Sequence, residues 1–289
     1  MQGNPLLSVL MTSFNREQFI AEAIESVLAS TYKDFELIIV DDGSKDKTVS
    51  IAQSYALKDA RVKVYVNETN LSDYPNRNKA VSYASGEYIM YVDSDDKILP
   101  DGFERCIKVM QDFSAAGFGM QYNEDPGDPF YLRPEEAVHH HFFKKPLLMI
   151  GPGGTILRRS FFEQIGKYPI KYGPANDMYF NLKAAANTGV VLLPFTFNFY
   201  RIHEGQEFNN KYSYLYNNFN YLRDALQELA LPLSKKEMTW LMNKNRRRFL
   251  VNLINYFIRS KNLSKTIAAR KLAGFGLTDV VKAVIHPSF

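Results

Sequence analysis

Apolar and polar positions along the first third of the chain follow two alternating periods, and the period changes at each cluster of small or acidic residues. Leu7-Ser8-Val9-Leu10-Met11-Thr12 reads as a short buried strand ending at Ser13-Phe14-Asn15-Arg16, and Phe19 to Leu28 then carries apolar residues at helical spacing. Glu36 to Val40 is a second strand that ends in Asp41-Asp42-Gly43-Ser44, and a helix from about Lys47 to Leu57 follows the cap-like Asp46. Val62 to Val66 alternates as a third strand, Tyr74 to Ala84 is helical, and Glu87 to Val92 is a fourth strand. Strand, helix, strand, helix predicts an α/β fold with a mostly parallel, doubly wound sheet.

The second half changes character twice. Gly151-Pro152-Gly153-Gly154-Thr155 is a compact loop ahead of the apolar Ile156-Leu157, where glycine permits close backbone approach to a sugar or simply turns the chain into a strand. Asn176-Asp177 opens an amphipathic helix running through Ala186. Beyond about residue 209 the chain is helical, aromatic and basic, with eleven lysines and arginines between Lys235 and Lys271 against Glu237 alone. The expected division is therefore a domain over 1–208 and a helical extension over 209–289. Trp240, Phe249, Leu250, Leu253, Ile254 and Phe257 recur at helical spacing and are assigned to a core. The basic face suits peripheral contact with anionic lipid, a solvated cap on packed helices, or homodimerisation.

Composition narrows the classes. With 289 residues, 46% of them hydrophobic, the chain can bury one sizeable core plus an appendage. A formal charge of +4 favours anionic ligands without demanding nucleic acid, and none is expected as a partner. Cys106 stands alone, which excludes an internal disulfide framework and suits a reducing cytoplasm, as it would equally suit a cysteine-poor secreted protein. Met1-Gln2-Gly3-Asn4-Pro5 lacks the charged and apolar regions of a signal peptide, and no apolar run reaches bilayer-spanning length, so a cytoplasmic location with only peripheral membrane contact is expected. No Gly-x-Gly-x-x-Gly follows a strand and no Walker-type Gly-Lys-Ser/Thr occurs, which removes the main support for dinucleotide and P-loop readings.

The residues with chemistry to offer sit at predicted strand ends. The fourth strand stops in Asp93-Ser94-Asp95-Asp96, three carboxylates within four residues. Side chains at the carboxyl end of such a strand face the ligand crevice. There a hard divalent cation would relieve their repulsion and leave positions open for phosphate oxygens, although Asp and Ser also serve as ordinary turn and cap residues. Asp41 and Asp42 can accept from a base imide or a ribose hydroxyl, Thr12 and the amides behind it can contact a base, and Phe14 offers a stacking face; Asp-Gly is also a common turn pair. Asp177 opens its helix either as an N-cap or as a general base. His139-His140-His141 cannot share one ion, because adjacent side chains diverge, and is read as a solvent-facing segment near the acceptor side.

Taken in order, Ser8 to Asn15, Val40-Asp41-Asp42-Gly43-Ser44, Arg77-Asn78, and Gly86-Glu87-Tyr88 running into Asp93-Ser94-Asp95-Asp96 resemble the family 2 glycosyltransferases of the GT-A fold, over roughly residues 6 to 205. The resemblance implies a Rossmann-like domain that transfers a sugar from a nucleoside diphosphate sugar, with inversion, to a glycan or lipid-linked acceptor of the cell envelope. It places the nucleoside, most often uridine, on Thr12, Phe14 and Asp42, with Asn15 closing the same motif; Arg77 either assists at the phosphates or is a surface helix residue. Asp93 or Asp95 would hold the ribose, and Asp95 or Asp96, within the Asp-x-Asp pattern, would reach Mn²⁺ or Mg²⁺ on the diphosphate, with His203 of Tyr200 to Gln206 as a further ligand. One acid more than the minimal pattern leaves the choice of ligand open. Asp177 takes the position of the catalytic base, preceded here by Asn176 where the family usually has a second acid. A binding protein for nucleotide sugars or glycans that kept the fold and lost turnover is the alternative.

Overall fold

A computed structural model of the chain describes residues 5–122, 127–203 and 210–285. The four predicted strands are β1 (Leu7–Ser13), β2 (Phe35–Asp41), β3 (Val62–Val66) and β4 (Tyr88–Tyr91), joined by α1 (Ile20–Leu28), α2 (Thr48–Ala56) and α3 (Asp73–Ser82). After them come β5 (Lys97–Ile98), α4 (Gly102–Asp112), β6 (Phe118–Gln121), β7 (Phe130–Leu132), α5 (Pro134–Phe143), β8 (Thr155–Arg158), α6 (Arg159–Gln164), α7 (Asn176–Thr188), β9 (Val190–Leu193) and β10 (Asn198–Phe199). The main sheet runs β3-β2-β1-β4-β8-β6-β9-β7. β3, β2, β1 and β4 are mutually parallel, β8 is antiparallel to β4 and to β6, β6 and β9 are parallel, and β7 closes the edge antiparallel. Six strands therefore point one way, and the carboxyl ends of β1, β2, β4 and β6 share one edge of the sheet.

β1 and β2 read as near-continuous apolar runs because helices cover both faces of the sheet. The pleat sorts their side chains: Val9, Met11, Leu37 and Ile39 enter a core with α1 and α4, while Leu10, Ile38 and Val40 enter a second with α3, α6 and α7. Gly86 lets the chain lie against β1 at the start of β4, since a Cβ there would stand 2.6 Å from the Ser8 amide nitrogen. Glu36, at the amino end of β2, is buried there and accepts from the Ser8 hydroxyl (2.7 Å), the Ser85 amide and hydroxyl (2.7 Å each) and the Lys63 ammonium (2.7 Å).

The extension contains α8 (Lys211–Glu228), α9 (Lys235–Ser260), α10 (Leu263–Leu272) and α11 (Leu277–Ile285). The expected boundary at 208/209 lies outside the described residues. Tyr221, Leu222, Ala225, Leu226 and Leu241 belong to the core that holds α7, so the first half of the extension is fused to the sheet domain. A smaller cluster joins Phe219, Phe249, Leu253, Ala269, Phe275 and Ala283. α9 opens on a capping box of Ser234 and Glu237 and buries the ridge Leu241, Asn245, Phe249 and Leu253. A single ridge cannot cover its neighbours. Ile254 and Phe257, expected in the core, are 50% and 39% exposed, while Phe249 and Leu253 are buried as expected. Among the described residues no helix is long and apolar enough to cross a membrane.

The histidine run is corrected in part. It lies on α5, where His139 is exposed but His141 is buried and accepts from the Leu148 amide at Nδ1 (3.1 Å). Burial, with lesser pushes from His140 and Arg248, brings its imidazole down to about 4, so it is a neutral structural acceptor rather than a solvent-facing group.

Candidate active site

At the end of β1 the chain turns through Phe14, 44% exposed, and Asn15, whose φ of 53° lets its side chain accept from the Lys45 amide (2.9 Å). Thr12 is half-buried, and its carbonyl accepts from the Ser94 hydroxyl (2.8 Å), tying β1 to the acidic turn. Beside it, Asp41 accepts from the Ser13 hydroxyl (2.8 Å) and from the Ser44 amide and hydroxyl (2.7 and 2.6 Å). Asp42 is buried: Oδ1 accepts from the Asn67 amide group and the Leu71 backbone (2.8 Å each), and Oδ2 from the Ser72 backbone (2.9 Å). Both aspartates thus knit the loops around the crevice, and Asp42 Oδ2 keeps a lone pair for one further donor.

The turn after β4 closes through Asp96 N–H to Asp93 C=O (2.9 Å) and spreads its three acids in different directions. Asp93 accepts from Arg77 Nη1 (2.7 Å), whose Nε donates to Asp73 (2.7 Å). Arg77 is buried, with its guanidinium 5.3 Å from the Tyr91 ring centre. Burial raises the Asp93 carboxyl even against this partner. Asp95 Oδ2 receives both Arg16 Nε (3.1 Å) and His203 Nε2 (2.9 Å), and the His203 ring stacks on Phe19 at 4.8 Å. Asp96 is buried, accepts from the Arg201 amide (2.9 Å), and is pushed up to about 7 by burial and by the neighbouring Asp93 and Asp95. The remaining residues of the Tyr200 to Gln206 segment, from Glu204 on, lie outside the described residues. A cavity of ≈ 450 Å³ lined by Asn15, Arg16, Phe19, Asp46 and His203 opens beside these groups.

Asp177 stands in the first turn of α7, buried, with Oδ1 accepting from the Met178 amide (2.7 Å). Burial pushes it up to about 7, against the opposing pull of that amide, the Tyr74 hydroxyl and Arg77. The glycine loop lies against it, since a Cβ on Gly151 would stand 3.8 Å from Asp177 Oδ2. Asn176, in place of a second acid, accepts from the Tyr172 amide (2.9 Å) and donates to the Gly173 carbonyl (2.7 Å), closing the turn that aims α7. Asn181, one helical turn on, donates to the Leu148 and Ile150 carbonyls (3.0 and 2.8 Å) and pins the loop to the helix.

α3 joins the parts. Its Asn76 shares Asn67 with Asp42 (2.8 Å to each), its Arg77 holds Asp93, and its Tyr74 hydroxyl is near enough to Asp177 to favour the ionised carboxylate. The residues expected at the site are thus assembled on one edge. Those not expected there, Arg16, Tyr74, Asn181 and Arg201, act through partners far away in sequence; only Asn181, four residues after Asp177, had a local signal, because that spacing shares a helix face.

The Asp95–His203 pair supplies the oxygen and nitrogen donors that suit Mn²⁺, and Mg²⁺ commonly takes only one or two protein carboxylates plus substrate phosphates. Among the described residues no set of three His, Cys, Asp or Glu side chains is gathered to hold an ion. These side chains do not form an all-protein cage, so any cation held by them would complete its coordination from a bound diphosphate and water.

The profile described as Glycosyl transferase family 2 matches residues 8–166, more than half of the chain. The chain belongs to glycosyl transferase family 2. TuaG of Bacillus subtilis, named for teichuronic acid biosynthesis, is 34% identical over 149 residues, covering 50% of this chain and 59% of TuaG. A Campylobacter jejuni family relative, GalNAc(5)-diNAcBac-PP-undecaprenol beta-1,3-glucosyltransferase, is 34% identical over 126 residues, covering 43% of this chain and 40% of its own length. The chain thus spans about half the length of the curated relatives it matches. Among solved structures, S. aureus TarS 1-349 in complex with UDP-GlcNAc superposes with a TM-score of 0.71 at 22% identity, over 96% of this chain and 81% of TarS 1-349. That likeness is one of fold, the mostly parallel GT-A sheet with flanking helices.

Proposed function

We propose that this family 2 chain transfers a sugar from a UDP-sugar to a hydroxyl of a glycan or lipid-linked acceptor, with inversion at the anomeric carbon and Asp177 as general base. One observation carries the reading. A buried carboxylate, short of partners and held near neutrality, stands across α3 from an acidic turn at the carboxyl end of the sheet. The UDP-GlcNAc complex of TarS and the undecaprenol-linked acceptor in the name of the C. jejuni relative support the donor and acceptor classes.

The acceptor oxygen attacks the anomeric carbon while Asp177 takes its proton, and the bond from that carbon to the diphosphate oxygen breaks on the opposite face. The products are the glycoside, the nucleoside diphosphate and protonated Asp177, which returns its proton to water. Thr12, Phe14, Asn15 and Asp42 bound the nucleoside side of the crevice, and Asp93, held by Arg77, faces the ribose. Asp95 with His203 or Asp96 would hold Mn²⁺ or Mg²⁺, which would supply Lewis-acid stabilisation of the departing diphosphate when bound.

The test is release of UDP from a panel of UDP-sugars in the presence of Mn²⁺, with and without candidate acceptors. Turnover that vanishes in Asp177→Asn supports the reading. Tight nucleotide-sugar binding without turnover on any acceptor would instead make the chain a binding protein.

A further inference from the structure

The extension ends in a surface that nothing in the described structure covers. On α9, Val251, Ile254 and Ile258 are 49%, 50% and 53% exposed. They form a stripe on the side of α9 turned away from the buried ridge of Phe249 and Leu253. On α11, Leu277, Val281 and Val284 recur at steps of four and three, each more than half exposed, and face away from Ala283, which packs inward. Arg246 to Asp279 (2.8 Å) and Arg247 to the Ala283 carbonyl (3.2 Å) hold the two helices side by side.

Charge selects the occupant. From Arg259 to Lys282 the chain carries Arg259, Lys261, Lys265, Arg270, Lys271 and Lys282, all exposed, against a single acid, Asp279, which is paired with Arg246. A second copy brought face to face would set the same cations against one another. An anionic lipid surface neutralises them, and its acyl boundary accepts the exposed aliphatic side chains of α9 and α11.

We propose that α9 and α11 dock the chain on the surface of an anionic bilayer. This deepens the sugar-transfer reading by naming where a lipid-linked acceptor is met, but docking requires no turnover, so the two fail separately. The test is flotation of the full chain with phosphatidylcholine vesicles and with vesicles also containing phosphatidylglycerol, alongside light scattering in solution. The chain should float with the anionic vesicles only, and less so as salt rises. Ile254→Asp combined with Val281→Asp should cut the bound fraction about tenfold or more. Arg259→Glu with Lys261→Glu should do the same, while unchanged thermal melts show that both variants fold. No flotation, or equal flotation with neutral vesicles, overturns the proposal. So does a dimer mass in solution that the Ile254→Asp, Val281→Asp variant reduces to a monomer, which would assign the face to a second copy.

Discussion

The two ends of one sheet treat buried carboxylates in opposite ways. At the amino end of β2, burial works to raise Glu36, yet Lys63, Ser85 and Ser8 outweigh it and hold the carboxyl at about 2. At the carboxyl ends of the strands, Asp96 and Asp177 are buried with too few donors and rise to about 7. Desolvation acts on all three; the Lys63 ammonium and the hydroxyl and amide donors outweigh it at Glu36, like charges add to it at Asp96, and few donors oppose it at Asp177. A saturated carboxylate cements β1, β2 and the start of β4. An undersupplied one keeps a lone pair and a raised proton affinity, a perturbation of the kind that clusters at functional sites.

The comparison breaks hardest at Asp177. Asp177→Asn should lower turnover by roughly 10²- to 10⁴-fold while nucleotide affinity, read by calorimetry, stays put. An unchanged rate would reduce Asp177 to a helix-cap residue. Next in size, Asp95→Ala should weaken UDP binding in Mn²⁺ by at least about tenfold, comparable to what even outer-ligand losses cost a metal site. Normal binding in that variant would remove Asp95 from the cation.

At the other end of the sheet the prediction concerns stability alone. Glu36→Gln loses the Lys63 ion pair and leaves buried donors unmatched, at a cost of about 1–3 kcal/mol, visible as a lowered melting temperature with kcat per folded molecule unchanged. Because its folded value lies below 4.5, the Glu36 contribution is present above that pH and lost as pH falls toward about 2. Asp177 has the reverse sign: its folded value lies above 3.8, so the stability linked to it is full below that pH and lost as pH rises through about 7. Asp177→Asn should therefore melt slightly higher than wild type above neutrality and no higher near pH 4; a uniform drop at every pH would contradict the undersupplied carboxylate.

The legible parts of this molecule were local. Apolar runs with polar stops gave β1 to β4 within a residue or two, because strands covered on both faces leave continuous apolar stretches, and Asp93, Asp95, Asp96 and Asp177 each lie where a strand ends or a helix begins. What stayed hidden depends on contacts between distant segments. The antiparallel β8 between β4 and β6 leaves no trace in periodicity. His141 faces the Leu148 amide rather than water because the chain returns at residues 144–148. Ile254 and Phe257 share their helix and their spacing with Phe249 and Leu253, and only the position of α8, α10 and α11 separates covered from uncovered residues. Arg16 and His203 meeting on one oxygen of Asp95 joins three segments that no spacing relates.

The central claim, that a carboxylate short of partners at the carboxyl end of the sheet takes the acceptor's proton, is tested most directly by the pH dependence of kcat/KM, which reports the free enzyme's base. Log kcat/KM should climb with unit slope and level off above about pH 7, the value that burial gives Asp177. A rate that is flat from about pH 5 to about pH 8 would contradict the account.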